Sequence, residues 1–308
     1  MEDYEVIIIG GGPAGLTAGL YTARAHLHTV LLEAKIPSGQ MAMAETIENY
    51  PGFPDGIPGV ELVDRFTKQA MRFGLQILQY TNVEGVELRD GRKIVTARER
   101  KFSAAALIVA SGVRWNKLGV PGEVQLANRG VSYCATCDGA FFEDLDVAVI
   151  GGGDTAVEDA LYLAKIARKV FLIHRRDQLR AQKILQNRAL KNHKIETLWS
   201  TVLREIRGED LVESVVLENL KDSSTQELGV SGVFIAVGQR PNVNYLRGLV
   251  DMDKAGYIVT DENCATSVPG IFAPGDVRKK ALRQISTAVG DGALAAFGAE
   301  RYIEMQNC

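Results

Sequence analysis

The chain carries one pattern twice, and this repeat restricts its fold more than any other feature. In each copy an apolar segment leads into a glycine-rich turn and a helix-like segment, and a second apolar segment follows. The first copy starts at Val6 and the second at Val147, so equivalent positions lie 141 residues apart. Strand, turn, helix and strand in this order form a βαβ unit with parallel strands. The sequence therefore predicts two α/β folds in one chain.

The two glycine-rich turns have the spacing of a dinucleotide-binding motif. They read Gly10-Gly11-Gly12-Pro13-Ala14-Gly15 and Gly151-Gly152-Gly153-Asp154-Thr155-Ala156. In such a motif the first glycine allows a tight turn, the second lets a pyrophosphate approach, and the third lets the helix pack on the strand. The free N–H groups and the dipole of the helix N-terminus then favour the anion. A generic turn is the alternative, which the flanking strands and helix disfavour. We therefore predict two nucleotide sites in Rossmann-like, three-layer domains.

The residues after the second strand of each copy predict different nucleotides. The first copy has Glu33 there, and an acidic residue at this place accepts hydrogen bonds from a free ribose. The second copy has a basic group consisting of His174, Arg175, Arg176 and Arg180. Guanidinium groups bind phosphate through paired hydrogen bonds, so the second site should take NADP. A solvated, basic start of a helix is the alternative for this group.

A late segment favours FAD at the first site. Between Thr266 and Asp276 a short apolar strand is predicted that ends in Gly275-Asp276; Arg283 follows, and a helix of small residues is predicted from Gly290. In flavoproteins that bind two nucleotides, the aspartate of such a segment holds the ribityl chain; an ordinary turn is the alternative. The FAD domain would then be discontinuous, formed by residues 1–113 and 243–308, with the NADPH domain, 114–242, inserted. Candidate hinges follow Gly112 and lie near Gly238.

Two of the four cysteines form a C-x-x-C motif, Cys134 and Cys137, just before the second nucleotide-binding strand. A zinc site needs about four ligands, and Cys264 and Cys308 are single and distant. A reversible dithiol is therefore the preferred interpretation. Asp138 follows the pair and could act as its acid or base, or simply cap a turn. The next aromatic residues, Phe141 and Phe142, could dock a partner protein or belong to the core.

Charge and composition exclude several classes of protein. The net charge of −3 argues against a protein that binds nucleic acid. The acidic N-terminus lacks a targeting signal, and no apolar run is long enough to span a bilayer. We therefore expect a cytoplasmic protein that binds neither nucleic acid nor membrane, and the cysteine pattern predicts no metal site.

Together these motifs resemble the low-molecular-weight thioredoxin reductases of the bacterial and archaeal type over essentially the whole chain. Further matching segments are Glu48-Asn49-Tyr50-Pro51-Gly52-Phe53-Pro54, Cys134-Ala135-Thr136-Cys137-Asp138-Gly139 and His174-Arg175-Arg176-Asp177 with Arg180-Ala181. The resemblance implies the two-nucleotide flavoprotein fold, with FAD and NADPH as cofactors, a thioredoxin-like partner and a homodimer. It also implies that Gln40, Asn49, Arg283, Gln284 and Ile285 contact FAD.

The resemblance further implies a division of labour at the cysteine pair. Cys137 would lie nearer the flavin and form a charge-transfer contact, Cys134 would attack the thioredoxin disulfide, and Asp138 would be the acid. The NADPH domain would rotate between the two half-reactions. A departure from the family pattern is Ser111, where many relatives carry threonine.

Three other functions remain open at this point. A flavin or ferredoxin reductase on the same scaffold would not need Cys134 and Cys137. A thiol oxidase would pass electrons to oxygen, although Asp138 favours the reductase. A flavin-binding redox sensor would be reduced by NADPH slowly or not at all.

Overall fold

The computed structural model describes residues 1–35, 39–44, 46–246 and 248–306, so Cys308 lies outside the described part of the chain. The chain divides into two compact units. The first combines Met1–Arg114 with Arg240–Cys308, and the second is Trp115–Gln239. Each unit contains a mainly parallel sheet covered by helices, which confirms the predicted fold class of two Rossmann-like domains.

The first unit is built on a seven-stranded sheet. Its strands are β1 (Glu2–Ile9), β2 (Thr29–Leu32), β3 (Gln76–Leu78), β4 (Gly85–Arg89), β5 (Arg92–Ala97), β6 (Arg100–Val109) and β17 (Ile271–Phe272). The order β3-β2-β1-β6 is parallel, and β5 and β4 continue it antiparallel. The C-terminal half of β6 pairs with β17 in parallel. This pairing brings the C-terminal part of the chain to the carboxyl ends of the parallel strands, where the glycine-rich turn also lies.

Both faces of this sheet are buried, as the continuous apolar runs in its parallel strands predict. Along β1, Ile7 and Ile9 pack into one core, and Val6 and Ile8 pack into the core on the opposite face. The helices of this unit are α1 (Pro13–Arg24), α2 (Gly59–Arg72) and α6 (Ile285–Gln306). The period of two along the strand therefore accounts for the layered arrangement.

The C-terminal segment differs in detail from its predicted structure. The short apolar strand predicted before Gly275-Asp276 is Ile271–Phe272, and two residues separate its end from Gly275. Helix α6 starts at Ile285, five residues before the predicted position at Gly290. A Cβ on Gly292 would lie 2.3 Å from the Ala14 carbonyl oxygen, so α6 packs very closely on α1.

The second unit has a five-stranded parallel sheet in the order β11-β10-β9-β15-β8 and a separate antiparallel sheet, β12-β13-β14. These strands are β8 (Val131–Ser132), β9 (Asp146–Gly151), β10 (Lys169–His174), β11 (Ile195–Trp199), β12 (Thr201–Arg207), β13 (Ser214–Asn219), β14 (Thr225–Gly229) and β15 (Gly232–Ala236). Its helices are α3 (Ala135–Asp138), α4 (Asp154–Leu163) and α5 (Lys183–Lys191). The central order β10-β9-β15 repeats the order β2-β1-β6 of the first unit, so the internal repeat extends to a third strand.

The chain passes between the units twice, through β7 (Val113–Trp115) and β16 (Gln239–Pro241). These two strands pair with each other as a short sheet. No helix in the described residues is long and apolar enough to cross a membrane.

Candidate active site and nucleotide sites

The three glycines of the first turn have different steric surroundings. Gly10 has a φ of +102°, and a Cβ on it would lie 2.5 Å from the Ala110 carbonyl oxygen at the end of β6. A Cβ on Gly15 would lie 1.8 Å from the Gly10 carbonyl oxygen, so α1 can start here only if this residue is glycine. A Cβ on Gly12 would meet no protein atom within 4 Å. Gly10 and Gly15 are therefore needed by the fold itself, whereas Gly12 leaves space beside the helix N-terminus, as a pyrophosphate requires.

Glu33 follows β2 and braces this turn. Its carboxylate accepts hydrogen bonds from the Gly11 N–H at 2.6 Å and the Lys35 N–H at 2.8 Å. The side chain is 9% exposed. Since each carboxylate oxygen can accept more than one hydrogen bond, the group retains capacity for ribose hydroxyls.

Gly275 and Asp276 lie directly against the first turn of α1. Gly275 has a φ of +82°, and a Cβ on it would lie 2.9 Å from the Cβ of Ala14. Within the described residues Asp276 Oδ1 is buried and has no hydrogen-bond donor, although Lys280 Nζ lies 3.6 Å away. Burial raises the pKa of this carboxyl group. An acceptor left without a donor beside the glycine-rich turn fits a ligand with hydroxyl groups, as FAD has.

The other predicted FAD residues belong to the same unit and are linked to one another. Asn49 Nδ2 donates to Gln284 Oε1 at 3.2 Å, and Ile285 begins α6. Arg283 Nε donates to the Asp276 carbonyl oxygen at 3.2 Å. Gln40 Nε2 donates to the Val113 carbonyl oxygen. The structure therefore joins the late segment to the segment around Asn49, which are far apart in sequence.

Sequence analysis missed Asp291, which anchors the Gly275–Asp276 turn from α6. Its carboxylate accepts the Gly275 N–H at 3.0 Å and pairs with Arg278 Nη1 and Lys280 Nζ, each at 3.1 Å. A single aspartate in a helix of small residues carries no motif, so only the packing of α6 reveals its position. Cys264 lies beside the same group: Arg278 Nη1 donates to its sulfur at 3.2 Å. Burial raises the pKa of this thiol to about 11, so Cys264 stays protonated and unreactive.

The second glycine-rich turn repeats the geometry of the first. A Cβ on Gly151 would lie 2.5 Å from the Ala236 carbonyl oxygen at the end of β15, which matches the distance found for Gly10. A Cβ on Gly153 would meet no protein atom within 4 Å, as at Gly12. Ala156 is buried, and Thr155 is exposed at the start of α4. The equivalent open space at both turns fits a second nucleotide.

The predicted basic group divides into a buried histidine and three exposed arginines. The His174 ring packs on Gly152, where a Cβ would lie 2.3 Å from it, and its Nε2 lies 3.1 Å from the Gln178 carbonyl oxygen. Burial lowers the pKa of His174, so the ring is neutral and packs on the turn as an uncharged group. The Arg180 N–H donates to the Gly152 carbonyl oxygen at 2.7 Å. This backbone contact places the Arg180 residue beside the glycine-rich turn.

The arginines at 175, 176 and 180 are exposed, and among the described residues none of them forms an ion pair. Asp154 is oriented elsewhere, since its Oδ1 accepts the Gln182 N–H at 2.7 Å. Near the second turn, the part of the chain that the structure describes thus presents three exposed guanidinium groups that form no ion pair, which fits a ligand with an additional phosphate.

Cys134 and Cys137 form a disulfide, with their Cα atoms 5.3 Å apart. Cys134 ends the segment after β8, and Cys137 lies in the single turn of α3, so the short helix brings the two sulfurs together. Cys137 is exposed and Cys134 is half-buried. The pair is therefore accessible within its unit for exchange with another disulfide.

Asp138 is fixed by Ser132, a residue that sequence analysis missed. Ser132 Oγ donates to Asp138 Oδ2 and accepts the Cys134 N–H at 3.1 Å. Burial raises the pKa of Asp138, and the hydrogen bond from Ser132 opposes that rise. A carboxyl group with a raised pKa can hold a proton nearer neutral pH, as an acid–base catalyst must.

The segment before the cysteine pair is held by a buried glutamate. Glu123 is fully buried and accepts the Leu118 and Gly119 N–H groups at 3.1 and 2.6 Å. It also accepts the Tyr133 hydroxyl at 2.7 Å, and the Tyr133 ring stacks on Trp115 with 6.0 Å between centroids. These contacts determine the backbone path into Cys134.

The two phenylalanines after the pair have different environments. Phe141 is 52% exposed, whereas Phe142 is 8% exposed and packs edge-on against Phe234. A Cβ on Gly232 would lie 2.4 Å from the Phe142 ring, which confirms how tightly this ring is packed. The surface near the disulfide therefore offers Phe141 alone of the two for contact with a partner.

Comparison with known proteins gives a consistent result. A model of the pyridine nucleotide-disulphide oxidoreductase family matches residues 4–292. The thioredoxin reductase of Listeria innocua is 49% identical over 304 residues, which cover 98% of this chain and 94% of that protein. The solved thioredoxin reductase of Streptococcus pyogenes is 47% identical, covers 98% of this chain and 99% of its own, and has a TM-score of 0.94. The solved enzyme of Lactococcus lactis, described as the FR conformation, is 45% identical with the same coverages and a TM-score of 0.67.

Proposed function

Since this chain belongs to the thioredoxin reductases of the pyridine nucleotide-disulphide oxidoreductase family, we propose that it transfers electrons from NADPH, through FAD and the Cys134–Cys137 disulfide, to thioredoxin. The observation that carries this function is the accessible disulfide with a buried carboxyl group beside it, in a unit that also has a nucleotide-binding turn. A flavin or ferredoxin reductase would need no such pair.

The chemistry that the cofactors supply when bound is hydride transfer from NADPH to FAD and two-electron transfer onward to the disulfide. The residues of the chain bind, orient and move protons. In the first unit Gly12 would leave space for the pyrophosphate of FAD, Glu33 would accept hydrogen bonds from the ribose of its adenosine part, and Asp276 would accept hydrogen bonds from the ribityl chain. In the second unit Gly153 would leave space for the pyrophosphate of NADPH.

NADPH is the proposed donor because the exposed arginines at 175, 176 and 180 match a 2′-phosphate. A charge-assisted hydrogen bond to phosphate contributes about 1.5–3 kcal/mol, which corresponds to a preference over NADH of at least tenfold per contact. His174 acts indirectly, by supporting Gly152 beneath the turn.

At the pair, Cys134 would attack the thioredoxin disulfide, and Asp138 would protonate the thiolate that leaves. Cys137 would then close the ring with Cys134 and release the partner. Phe141 is the exposed aromatic residue that thioredoxin would contact.

Rotation of the second unit between the two half-reactions is part of the proposal. It is supported by the two short connections, β7 and β16, through which the chain passes. Two relatives of nearly equal identity match this chain with TM-scores of 0.94 and 0.67, so members of one family exist in different global arrangements. Rigid-body motion of a domain on two connections fits both observations.

We also propose a homodimer, and the first unit offers a surface for it. Tyr21 on α1 and Leu294 and Phe297 on α6 are 52%, 42% and 52% exposed and line one shallow groove. A two-fold interface would cover this apolar groove with its own copy. Sedimentation equilibrium of the native protein and of Leu294→Arg tests this, since the substitution should yield monomers.

The function is tested by anaerobic oxidation of NADPH with oxidised thioredoxin as acceptor, comparing the native protein with Cys137→Ser. We expect turnover in the native protein and none in the variant, while NADPH still bleaches the flavin of both. Turnover that survives the substitution would place the cysteines off the electron path and indicate a flavin or ferredoxin reductase. Rapid peroxide formation in air without thioredoxin would indicate a thiol oxidase.

A further inference from the structure

Ser132 occupies an unusual position for a polar residue. It is the last residue of β8, where it pairs with Phe234 of β15, and it is 5% exposed. Its hydroxyl group nevertheless contacts both ends of the redox loop: it accepts the Cys134 N–H at 3.1 Å and donates to Asp138 Oδ2. One buried hydroxyl therefore connects the proposed nucleophile to the proposed acid.

The hydrogen bonds have one consistent direction. A serine hydroxyl has a single proton, and its two possible acceptors are Asp138 Oδ2 and, at 3.3 Å, the Cys134 carbonyl oxygen. The ionised carboxylate is the stronger acceptor, so the proton is donated to Asp138. The Cys134 N–H then donates to the serine oxygen. This chain of donors aligns the carboxylate with the backbone of the attacking cysteine.

We propose that Ser132 is a positioning residue of the exchange reaction, which orients the Asp138 carboxylate beside Cys134 and determines the pH at which it transfers its proton. This inference rests on the proposed function of the cysteine pair. It is independent of how the cofactors bind, since every contact lies within the redox loop and the end of β8.

The reaction that Ser132 assists conserves atoms and electrons. The ionised Asp138 carboxylate takes the thiol proton of Cys134, and the resulting thiolate forms a mixed disulfide with one partner sulfur while the partner S–S bond breaks. Asp138 gives this proton to the leaving thiolate. Asp138 then takes the thiol proton of Cys137, which attacks Cys134; the Cys134–Cys137 disulfide forms, the mixed disulfide breaks, and Asp138 gives the second proton to the second partner sulfur. The two protons of the reduced pair are thus transferred to the partner, which gains two electrons.

Few other ionisable groups surround Asp138 in the described residues. On its own loop these are the two cysteines of the pair and Tyr133, and β15 carries none. On α4, which packs against α3, they are Tyr162, beside Gly139, with Asp154, Glu158 and Asp159. Glu143 and Asp144 follow and are exposed. The pKa of Asp138 is shifted by burial and by the Ser132 hydrogen bond, without a contribution from a neighbouring charge.

The direction of the expected shift follows from this pair of opposing effects. Ser132 stabilises the ionised carboxylate, so removing its hydroxyl group should raise the pKa of Asp138 further. A hydrogen bond to a charged group corresponds to about one pH unit or somewhat more. A purely structural role for Ser132 would lower rates at every pH and leave the midpoint unchanged.

The test is a stopped-flow pH profile of electron transfer from the pre-reduced holoenzyme to oxidised thioredoxin, for the native protein, Ser132→Ala, Ser132→Thr and Asp138→Asn. We expect the midpoint that Asp138→Asn abolishes to move up by about one pH unit in Ser132→Ala. Ser132→Thr retains the hydroxyl group and should restore the native midpoint. Far-UV circular dichroism and the thermal unfolding midpoint show whether each variant is folded.

The decisive control is the double variant Ser132→Ala/Asp138→Asn. If Ser132 acts through Asp138, adding Ser132→Ala to Asp138→Asn should change the exchange rate less than about twofold, because the two residues form one interacting unit. An unchanged midpoint in Ser132→Ala, or an equal loss of rate in both backgrounds, would overturn the proposal. If the native protein fails to reduce thioredoxin, the proposed function is wrong. The same profiles with a small aliphatic disulfide, bis(2-hydroxyethyl) disulfide, whose leaving thiolate has an ordinary pKa, then decide the role of Ser132 by the same criteria.

Discussion

At the scale of the residue, glycines of one motif have different roles: some are required by the packing of the backbone, and others leave space for a ligand. Gly15 faces the Gly10 carbonyl oxygen and admits no side chain, whereas Gly12 has a φ of −73° and a ψ of −175°, which alanine also adopts. In the second turn the position equivalent to Gly15 is Ala156, so the steric requirement differs even between the two copies. Steric need and ligand need can therefore be separated by substitution.

We predict that Gly15→Ala destabilises the protein by about 3 kcal/mol or prevents folding, since its methyl group would overlap the backbone. The free energy of unfolding of Gly12→Ala in urea should lie within about 0.5 kcal/mol of that of the native protein, both without FAD. It should nevertheless bind FAD at least about tenfold more weakly, because the methyl group occupies the space left for the pyrophosphate. Urea unfolding and FAD titration by flavin fluorescence measure the two effects. Native FAD affinity in Gly12→Ala would contradict this placement of the cofactor.

At the scale of the element, one buried cation fastens the C-terminal helix to the sheet. Lys93 on β5 is 1% exposed, and its Nζ donates to the Ala105 carbonyl oxygen at 2.7 Å and to the Tyr302 hydroxyl at 3.0 Å. The ammonium group also lies 4.4 Å from the centre of the Tyr302 ring. A Cβ on Gly270 would lie 2.4 Å from both Nζ and this ring, so the turn before β17 packs on the same point. This contact links the C-terminal part of helix α6, the helix that carries Asp291, to the sheet.

We predict that Tyr302→Phe destabilises the protein by about 1–3 kcal/mol, because a buried ammonium group loses a hydrogen-bond partner. In a Lys93→Met background the same substitution should cost much less, since the charge that needed the hydroxyl group is gone. Urea unfolding of the four proteins in this cycle measures the coupling. Equal costs in both backgrounds would show that the Tyr302 hydroxyl group acts independently of Lys93, through the hydrogen bond that it accepts from Gln306 Nε2 at 2.8 Å.

At the scale of the whole molecule, the paired connections between the units are held at both ends. At the end nearer the first unit, Ser111 Oγ donates to the Asn242 carbonyl oxygen at 2.7 Å and accepts the Tyr245 hydroxyl at 2.8 Å. At the other end, the Asn116 N–H donates to the Gly238 carbonyl oxygen at 3.0 Å. Ser111 therefore contributes to the connection. Gly112, with a φ of +63°, lies at its start.

We predict that Gly112→Val lowers kcat with thioredoxin by roughly threefold or more, because a β-branched residue disfavours positive φ and alters the conformations open to the connection. Gly91→Val is the matched control: Gly91 has a φ of +76° in the turn between β4 and β5. At both glycines a Cβ would meet no atom within 4 Å, so strain is the only change. Both variants should lose similar stability, of about 1–2 kcal/mol. If Gly91→Val lowered kcat as much as Gly112→Val, the loss of turnover would not arise from the connection between the units.

The sequence by itself determined the fold class, the two glycine-rich turns and the cysteine pair, because each of these depends on local order. A βαβ unit is encoded by apolar periods and glycine spacing over about 30 residues, and a C-x-x-C disulfide closes within one turn of α3. The sequence also predicted which residues contact FAD and NADPH, and these contacts stay predictions.

The tertiary structure alone decided contacts between residues without a motif. Ser132, Glu123 and Asp291 carry no sequence pattern, and they matter because strand pairing and helix packing bring them to Asp138, Tyr133 and Gly275. Adjacent Phe141 and Phe142 could not be told apart by sequence, since burial depends on which ring faces Gly232 and Phe234. Likewise His174 directly precedes Arg175 and Arg176 in the sequence. Only its close approach to Gly152 shows that the histidine ring packs on the turn. Contacts of this kind depend on distances between segments that are remote along the chain, and local periodicity does not encode those distances.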